Sequence, residues 1–301
     1  MIAIRSILCP TDFSHFSSFA MGHAVALARW YGAEVTALSV IPWTPQFVGR
    51  EGPDVSPIAP PQDRDDLAEA LRDFLKPADD AGLETRSALR EGVPAREIVA
   101  QAREMGADLV VIGTRGREGL ERLVLGSVAE KVARTAPCPV LSVSCITEEP
   151  PSEGQVPFKR ILCPIDFSEP SIGALRFALG LAQESDARLI LLHVLEWLED
   201  DTVGHPQLDL PTFAGYLEER ARERLRAALP REARDWCEPQ ELVIRGKAYK
   251  RILEVEREHR ADLIVMGLQG RGALDLLVAG STTYHVMRQA SCPVLTLRSG
   301  G

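Results

Sequence analysis

A stretch near the middle of the chain and its near-duplicate 154 residues later constrain the fold more than any other feature of the sequence. The first copy reads Asp108-Leu-Val-Val-Ile-Gly113-Thr-Arg-Gly116, then nine residues, then Gly126-Ser127. The second reads Asp262-Leu-Ile-Val-Met-Gly267-Leu-Gln-Gly270, again nine residues, then Gly280-Ser281. Each opens as an unbroken apolar run, the pattern of a parallel strand buried on both faces, and ends in glycines where a backbone bends or lies close to another group. A helix is predicted to begin at each Gly-Ser pair. Strand, glycine loop and helix N-terminus in that order favour an anion. First-turn N–H groups point outward, the helix dipole adds partial positive charge, and Ser127 or Ser281 adds a hydroxyl. The competing reading is that the glycines make turns and the serine caps a helix; two copies with one spacing favour the anion site.

The same offset of 154 residues relates Asp12 to Asp166, Val40 to Val194, Gly92 to Gly246 and Cys138 to Cys292. A constant offset over that span marks a tandem duplication. The 301 residues therefore divide into a domain over residues 1–147, a polar, proline-containing linker over 148–157, and a second domain over 158–301. Within each half, short apolar strands alternate with helix-period segments, and such alternation implies right-handed crossovers and a parallel sheet covered on both faces. The predicted fold class is α/β, two tandem doubly wound five-stranded parallel-sheet domains. Residues 42–66 carry six prolines and are predicted to be an irregular excursion, with a helix following over 67–81 that Pro77 kinks or breaks.

Composition narrows the class. Hydrophobic residues make up 45% and charged residues 26%, as in a globular protein able to bury two cores. A formal net charge of -9 argues against non-specific nucleic-acid binding, which draws on a basic face. No run of 18 apolar residues is present, so no membrane span is predicted, and the start of the chain, interrupted by Arg5 and Asp12, does not read as a signal peptide. A cytoplasmic location with reduced thiols is the expectation. The six cysteines include no CxxC pair, and Cys9, Cys163, Cys138 and Cys292 read as small buried hydrophobes. None of the six histidines, His15, His23, His193, His205, His259 and His285, is matched by a histidine in the other half, which favours structural roles and shows no metal-ligand spacing.

In a doubly wound sheet, ligands bind at the carboxyl ends of strands, at the point where strand order reverses. Asp12, Val40, Gly92 and Gly113 all fall at or just past predicted strand ends. Pro10, Thr11 and Asp12, with Pro164, Ile165 and Asp166 in the second half, are candidates to hold a sugar or base edge. Val40 and Val194 would wall a planar ring. Gly126, Ser127 and Val128 would present N–H groups to phosphates, and Arg115, Arg117 and Arg122 around the first glycine loop would neutralise them. For Asp12 the alternative is a helix cap or loop acid. The second loop has Gln269 in place of Arg115, so its cleft is expected to be less positive.

The spacing G-x2-G-x9-G-[ST], present twice, resembles the nucleotide-binding signature of the universal stress protein family. Cys9-Pro-Thr-Asp-Phe-Ser14 and Cys163-Pro-Ile-Asp-Phe-Ser168 resemble that family's first strand with its aspartate, and Ala136-Pro-Cys-Pro-Val-Leu141 and Ser291-Cys-Pro-Val-Leu295 its closing strand. The resemblance implies flavodoxin-like topology with strand order 3-2-1-4-5 and, in many members, ATP between strands one and four. It places Asp12 and Val40 at the adenosine and Gly113, Gly116, Gly126, Ser127 and Val128 at the ribose and phosphates. Asp166, Val194, Gly267, Gly270, Gly280, Ser281 and Thr282 are their counterparts. Gly92 and Gly246 open a Gly-x-Pro pattern that the second half departs from, Gly92-Val-Pro94 becoming Gly246-Lys-Ala248. The implied cofactor is ATP, with Mg2+ carried by the phosphates. The implied assembly is an intramolecular pseudo-dimer of the two halves, with further homodimerisation open. The functional expectation is an ATP-binding regulatory or sensor protein of the stress response. A scaffold without nucleotide and a slow ATPase or phosphotransferase are the alternatives, the last weakened because no Walker lysine follows the glycines.

Overall fold

In the computed structural model, the described residues are 2–47, 53–57, 61–114, 125–144, 158–196, 210–233, 239–268 and 281–298. The chain divides into two compact units, Ala3–Pro157 and Phe158–Gly300.

The first unit opens on β1 (Ser6–Thr11), whose Ile7, Leu8 and Cys9 are fully buried. Ser14 then caps α1 (His15–Tyr31) by accepting the Ser17 N–H, and Gly32, at φ 66°, ends the helix in the left-handed conformation that a residue without Cβ adopts at no steric cost. The elements that follow are β2 (Glu34–Phe47), β3 (Pro53–Pro57), α2 (Pro61–Asp80), β4 (Thr85–Gly92), α3 (Pro94–Glu104), β5 (Leu109–Gly113), α4 (Ser127–Thr135) and β6 (Val140–Val143). The five parallel strands lie in the order β4-β2-β1-β5-β6, which is 3-2-1-4-5 when only those five are numbered. Strand order reverses between β1 and β5. Helices α1 and α2 pack on each other, as do α3 and α4, consistent with right-handed crossovers that put one pair on each face.

The region expected to be irregular is partly regular. β2 continues through Pro42 and Pro45 to Phe47 and pairs antiparallel with β3, Trp43 opposite Pro57 and Phe47 opposite Pro53. Proline lacks a donor, so four prolines in two strands fit a two-stranded extension that needs few ladder bonds from them, rather than a central strand. α2 begins at Pro61, six residues before the apolar periodicity signals it. Proline is tolerated at the first helical position because its missing N–H would find no helical acceptor there. Pro77 lies inside α2 and does not end it.

The second unit repeats the plan with β7 (Arg160–Pro164), α5 (Glu169–Ser185), β8 (Arg188–Leu195), α6 (Leu210–Ala228), β9 (Gln240–Arg245), α7 (Ala248–His259), β10 (Leu263–Gly267), α8 (Ser281–Gln289) and β11 (Val294–Leu297). Its order, β9-β8-β7-β10-β11, is again 3-2-1-4-5. Ser168 caps α5 as Ser14 caps α1. No helix among the described residues is long and apolar enough to cross a membrane.

The acid that opens each repeated stretch has a structural task. Asp108 Oδ2 accepts the Arg5 and Ser6 N–H groups at 2.8 and 3.1 Å, and Asp262 accepts those of Lys159 and Arg160. Each carboxylate thus ties the start of the fourth strand of its sheet to the start of the first. Burial raises the Asp262 carboxyl above its ordinary range, partly offset by these N–H donors.

Candidate functional site

In the first unit the candidate residues gather at the carboxyl ends of β1 and β5 and on β2 beside them; Val40, expected at a strand end, stands mid-way along β2, which runs on to Phe47. Pro10 and Thr11 are the buried last residues of β1, in register with Leu38 and Ser39 of β2, so the half-exposed Asp12 and Val40 follow side by side. Thr11 is held from both directions: its Oγ1 donates to Ser17 Oγ at 3.0 Å and accepts the Phe13 N–H at 2.9 Å. Asp12 Oδ1 accepts the Ser14 N–H at 3.1 Å, an Asx-turn that precedes α1; Ser14, not Asp12, caps that helix. Gly92 lies further out, at the end of β4 and in register with Pro42 of β2. Its φ of 147° strains any residue with a Cβ, as does the 138° of Gly246.

Gly113 ends β5 where α1 crosses it. A Cβ there would stand 2.8 Å from the Phe16 carbonyl oxygen, and one on Gly267 would stand 2.6 Å from the Pro170 carbonyl carbon. Close helix-on-strand packing therefore accounts for both missing side chains. The glycine further along behaves differently. The Gly126 N–H donates to Thr114 O at 2.7 Å, and the Thr114 N–H donates to Val143 O at 2.8 Å, which fixes the entry to α4 against the ends of β5 and β6. Gly126 is thereby an N-cap without a side chain to cap with, and no side-chain cap bond is made. The first-turn N–H groups of Ser127, Val128 and Ala129 precede the first helical bond, Glu130 N–H to Gly126 O, and have no acceptor within the helix. Ser127 is exposed and Val128 half-buried. Arg115, Gly116, Arg117 and Arg122 lie outside the described residues.

The second unit keeps the frame and alters the fittings. Pro164 and Ile165 are buried at the end of β7, and the half-exposed Asp166 accepts the Ser168 N–H at 2.9 Å and the Ser168 hydroxyl at 2.5 Å. Val194 is half-exposed near the end of β8, and His193 beside it donates from Nδ1 to Ile165 O at 2.7 Å. The Leu268 N–H reaches Leu297 O as Thr114 reaches Val143, and Thr283 Oγ1 donates to Gly267 O at 3.0 Å. Position 129, the counterpart of Thr283, is an alanine without that bond. Thr282 is half-buried in the first turn of α8, which Ser281 opens; Gln269, Gly270 and Gly280 lie outside the described residues.

Two features escaped the sequence reading. Phe13 and Phe167 carry φ values of 59° and 64°, unusual for bulky side chains, and nothing in their chemistry announces it. The Asp108 and Asp262 contacts were legible in principle, because an acid directly before a buried strand recurs in both copies. Among the described residues no group of three or more His, Cys, Asp or Glu is arranged to hold a metal. Burial pushes the Cys9 thiol up to about 12 and Cys138 to about 11, so neither is a nucleophile at neutral pH.

Comparison with known proteins shows the family and the fold. A universal stress protein of Methanocaldococcus jannaschii is 42% identical over 139 residues, which span 46% of this chain and 81% of the relative. One from Mycobacterium tuberculosis is 30% identical over 219 residues, 73% of this chain and 70% of the relative. The crystal structure of a universal stress protein from Archaeoglobus fulgidus, 21% identical, superposes with a TM-score of 0.67 over 98% of both chains and shares the fold. The model of the universal stress protein family matches twice, over residues 3–144 and 157–298, and with both halves accounted for the chain belongs to that family.

Proposed function

We propose that the first half binds an adenine nucleotide, ATP with Mg2+ on its phosphates, and that the protein acts as a nucleotide-dependent regulator in the stress response. The observation that carries this reading is the entry to α4. Gly126 commits its own N–H to Thr114, offers no side chain, and leaves the N–H groups of Ser127 and Val128 beside an exposed hydroxyl at the positive end of a helix dipole. These groups suit phosphate oxygens, which need donors and positive potential. Asp12, set on the adjoining strand end, suits ribose hydroxyls or an amine as an acceptor, and Val40 suits the face of a base.

The chain's own contribution is binding and orientation. When bound, Mg2+ would share the phosphate charge with the helix terminus. Among the described residues no lysine stands at the entry to α4, and the reading is of a nucleotide held rather than consumed. The second half retains Asp166, Val194 and Ser281 but exchanges Val128 for Thr282, Pro94 for Ala248 and Arg115 for Gln269, so the first half is the principal site.

The test is to denature the freshly purified protein, identify released nucleotide, and titrate the emptied protein with ATP and magnesium. Adenine nucleotide is expected at one per chain or more. Gly126→Val, which places a branched side chain at the mouth of the phosphate site, is expected to abolish first-half binding. Unchanged affinity in that variant refutes the assignment.

A further inference from the structure

The residue after each cleft aspartate is a phenylalanine in the left-handed region, Phe13 at φ 59° and Phe167 at φ 64°. For a side chain of that size the conformation is costly, and such residues persist only where their surroundings over-determine them. The ring partners differ between the halves. The Phe13 N–H is taken by Thr11 Oγ1, and its ring meets Phe74 of α2 edge to face, with centroids 6.3 Å apart and planes at 88°. Phe167 has isoleucine in place of that threonine two residues before it. Its ring instead lies against His193, centroids 4.6 Å apart and planes tilted at 47°, and carries the Arg224 guanidinium of α6 at 3.9 Å from its centroid.

One backbone outcome accompanied by different ring partners indicates that the left-handed turn itself is what both halves preserve. The turn has one immediate consequence in each. It brings the N–H of Ser14 or Ser168 round to Oδ1 of Asp12 or Asp166, which restrains that carboxylate.

We infer that Phe13 and Phe167 are positioning residues, clamped by Phe74 in the first half and by His193 and Arg224 in the second, and that the clamps hold the left-handed turn which orients the cleft aspartates. This deepens the nucleotide reading and rests on it for the ligand.

The test uses the full chain with Phe74→Ala and with the pair Phe74→Ala, Phe13→Gly. Loss of the clamp is expected to weaken ATP binding by the first half about tenfold, the size of a released left-handed strain. The added glycine, which takes positive φ freely, is expected to restore most of it. Were the rings mere packing, removing a second one would weaken binding further, and that result overturns the inference. The three-bond HN–Hα coupling and carbon shifts of Phe13 give a readout free of nucleotide: φ is expected to leave the positive region in Phe74→Ala. If it stays there, the clamp is refuted. Wild-type protein that binds no ATP refutes the nucleotide reading, while the Phe13 coupling still decides the clamp.

Discussion

His23 sits on α1 with 5% of its surface exposed, and its Nε2 is buried without a hydrogen-bond partner. Burial lowers its pKa from 6.5 to about 4, because an imidazolium there would forfeit its hydration. Above pH 6.5 the ring is neutral in both folded and unfolded chains, and the stability is fully present. As pH falls from 6.5 towards 4 the unfolded chain takes up the proton first, so the folded state loses ground across that window. Below about 4 both forms are protonated and this group costs nothing more. The gap between 6.5 and about 4 corresponds to about 3 kcal/mol, a large part of an ordinary domain's margin. The second half supplies the control, since Phe177 stands 154 residues on from His23. The variant His23→Phe is expected to remove about 3 kcal/mol of acid sensitivity between pH 6.5 and 4, measured by urea unfolding at successive pH values. Amide exchange within α1 distinguishes the first unit from the second. Carboxylates that titrate in the same range contribute equally to both proteins and cancel in the difference. Equal pH slopes for wild type and variant would refute the argument.

Two further outcomes follow from the packing. Gly113→Ala drives a methyl to 2.8 Å from the Phe16 carbonyl oxygen, a backbone atom with little room to retreat, and is expected to cost about 1–3 kcal/mol in urea unfolding; an unchanged midpoint would mean that α1 and β5 are not so close. Cys9 and Cys163, fully buried with thiols raised by burial, are expected to resist iodoacetamide at pH 8 until the protein unfolds. Labelling faster than global unfolding would contradict their burial.

The duplication, the parallel sheets and the placing of Asp12 and Gly113 at or just past strand ends were legible because they rest on periodicity and spacing, which are local properties of a sequence; Val40 was misplaced because β2 runs on past it to Phe47. The β2–β3 extension was not. Six prolines between residues 42 and 66 read as irregular, yet prolines are tolerated in a strand pair with few ladder bonds to make. Nor did the early start of α2 show, because Pro61 marks a helix start only when the preceding chain is known to be ending. The contact that demands glycine at position 113 comes from Phe16, nearly a hundred residues away, and no local pattern carries it. The left-handed Phe13 is less legible still: it contradicts the preference of its own side chain and is fixed by Thr11 and by Phe74 on another helix.

The carboxylate of Asp108 reaches back 103 residues to the Arg5 N–H, and that separation has a consequence during synthesis. At ribosomal rates of about 5–20 residues per second, β1 waits some 5–20 s for the strand that completes its neighbourhood. Until then one edge of β1 stays open to any strand of similar sequence. β10 is such a strand, carrying the same apolar run and its own leading acid in Asp262. It leaves the ribosome 154 residues after β5, by which time the earlier sheet has closed on its own partner. Order of synthesis thus protects two near-identical copies from exchanging strands. Refolding from denaturant removes that protection, because both copies then compete at once for the same edges.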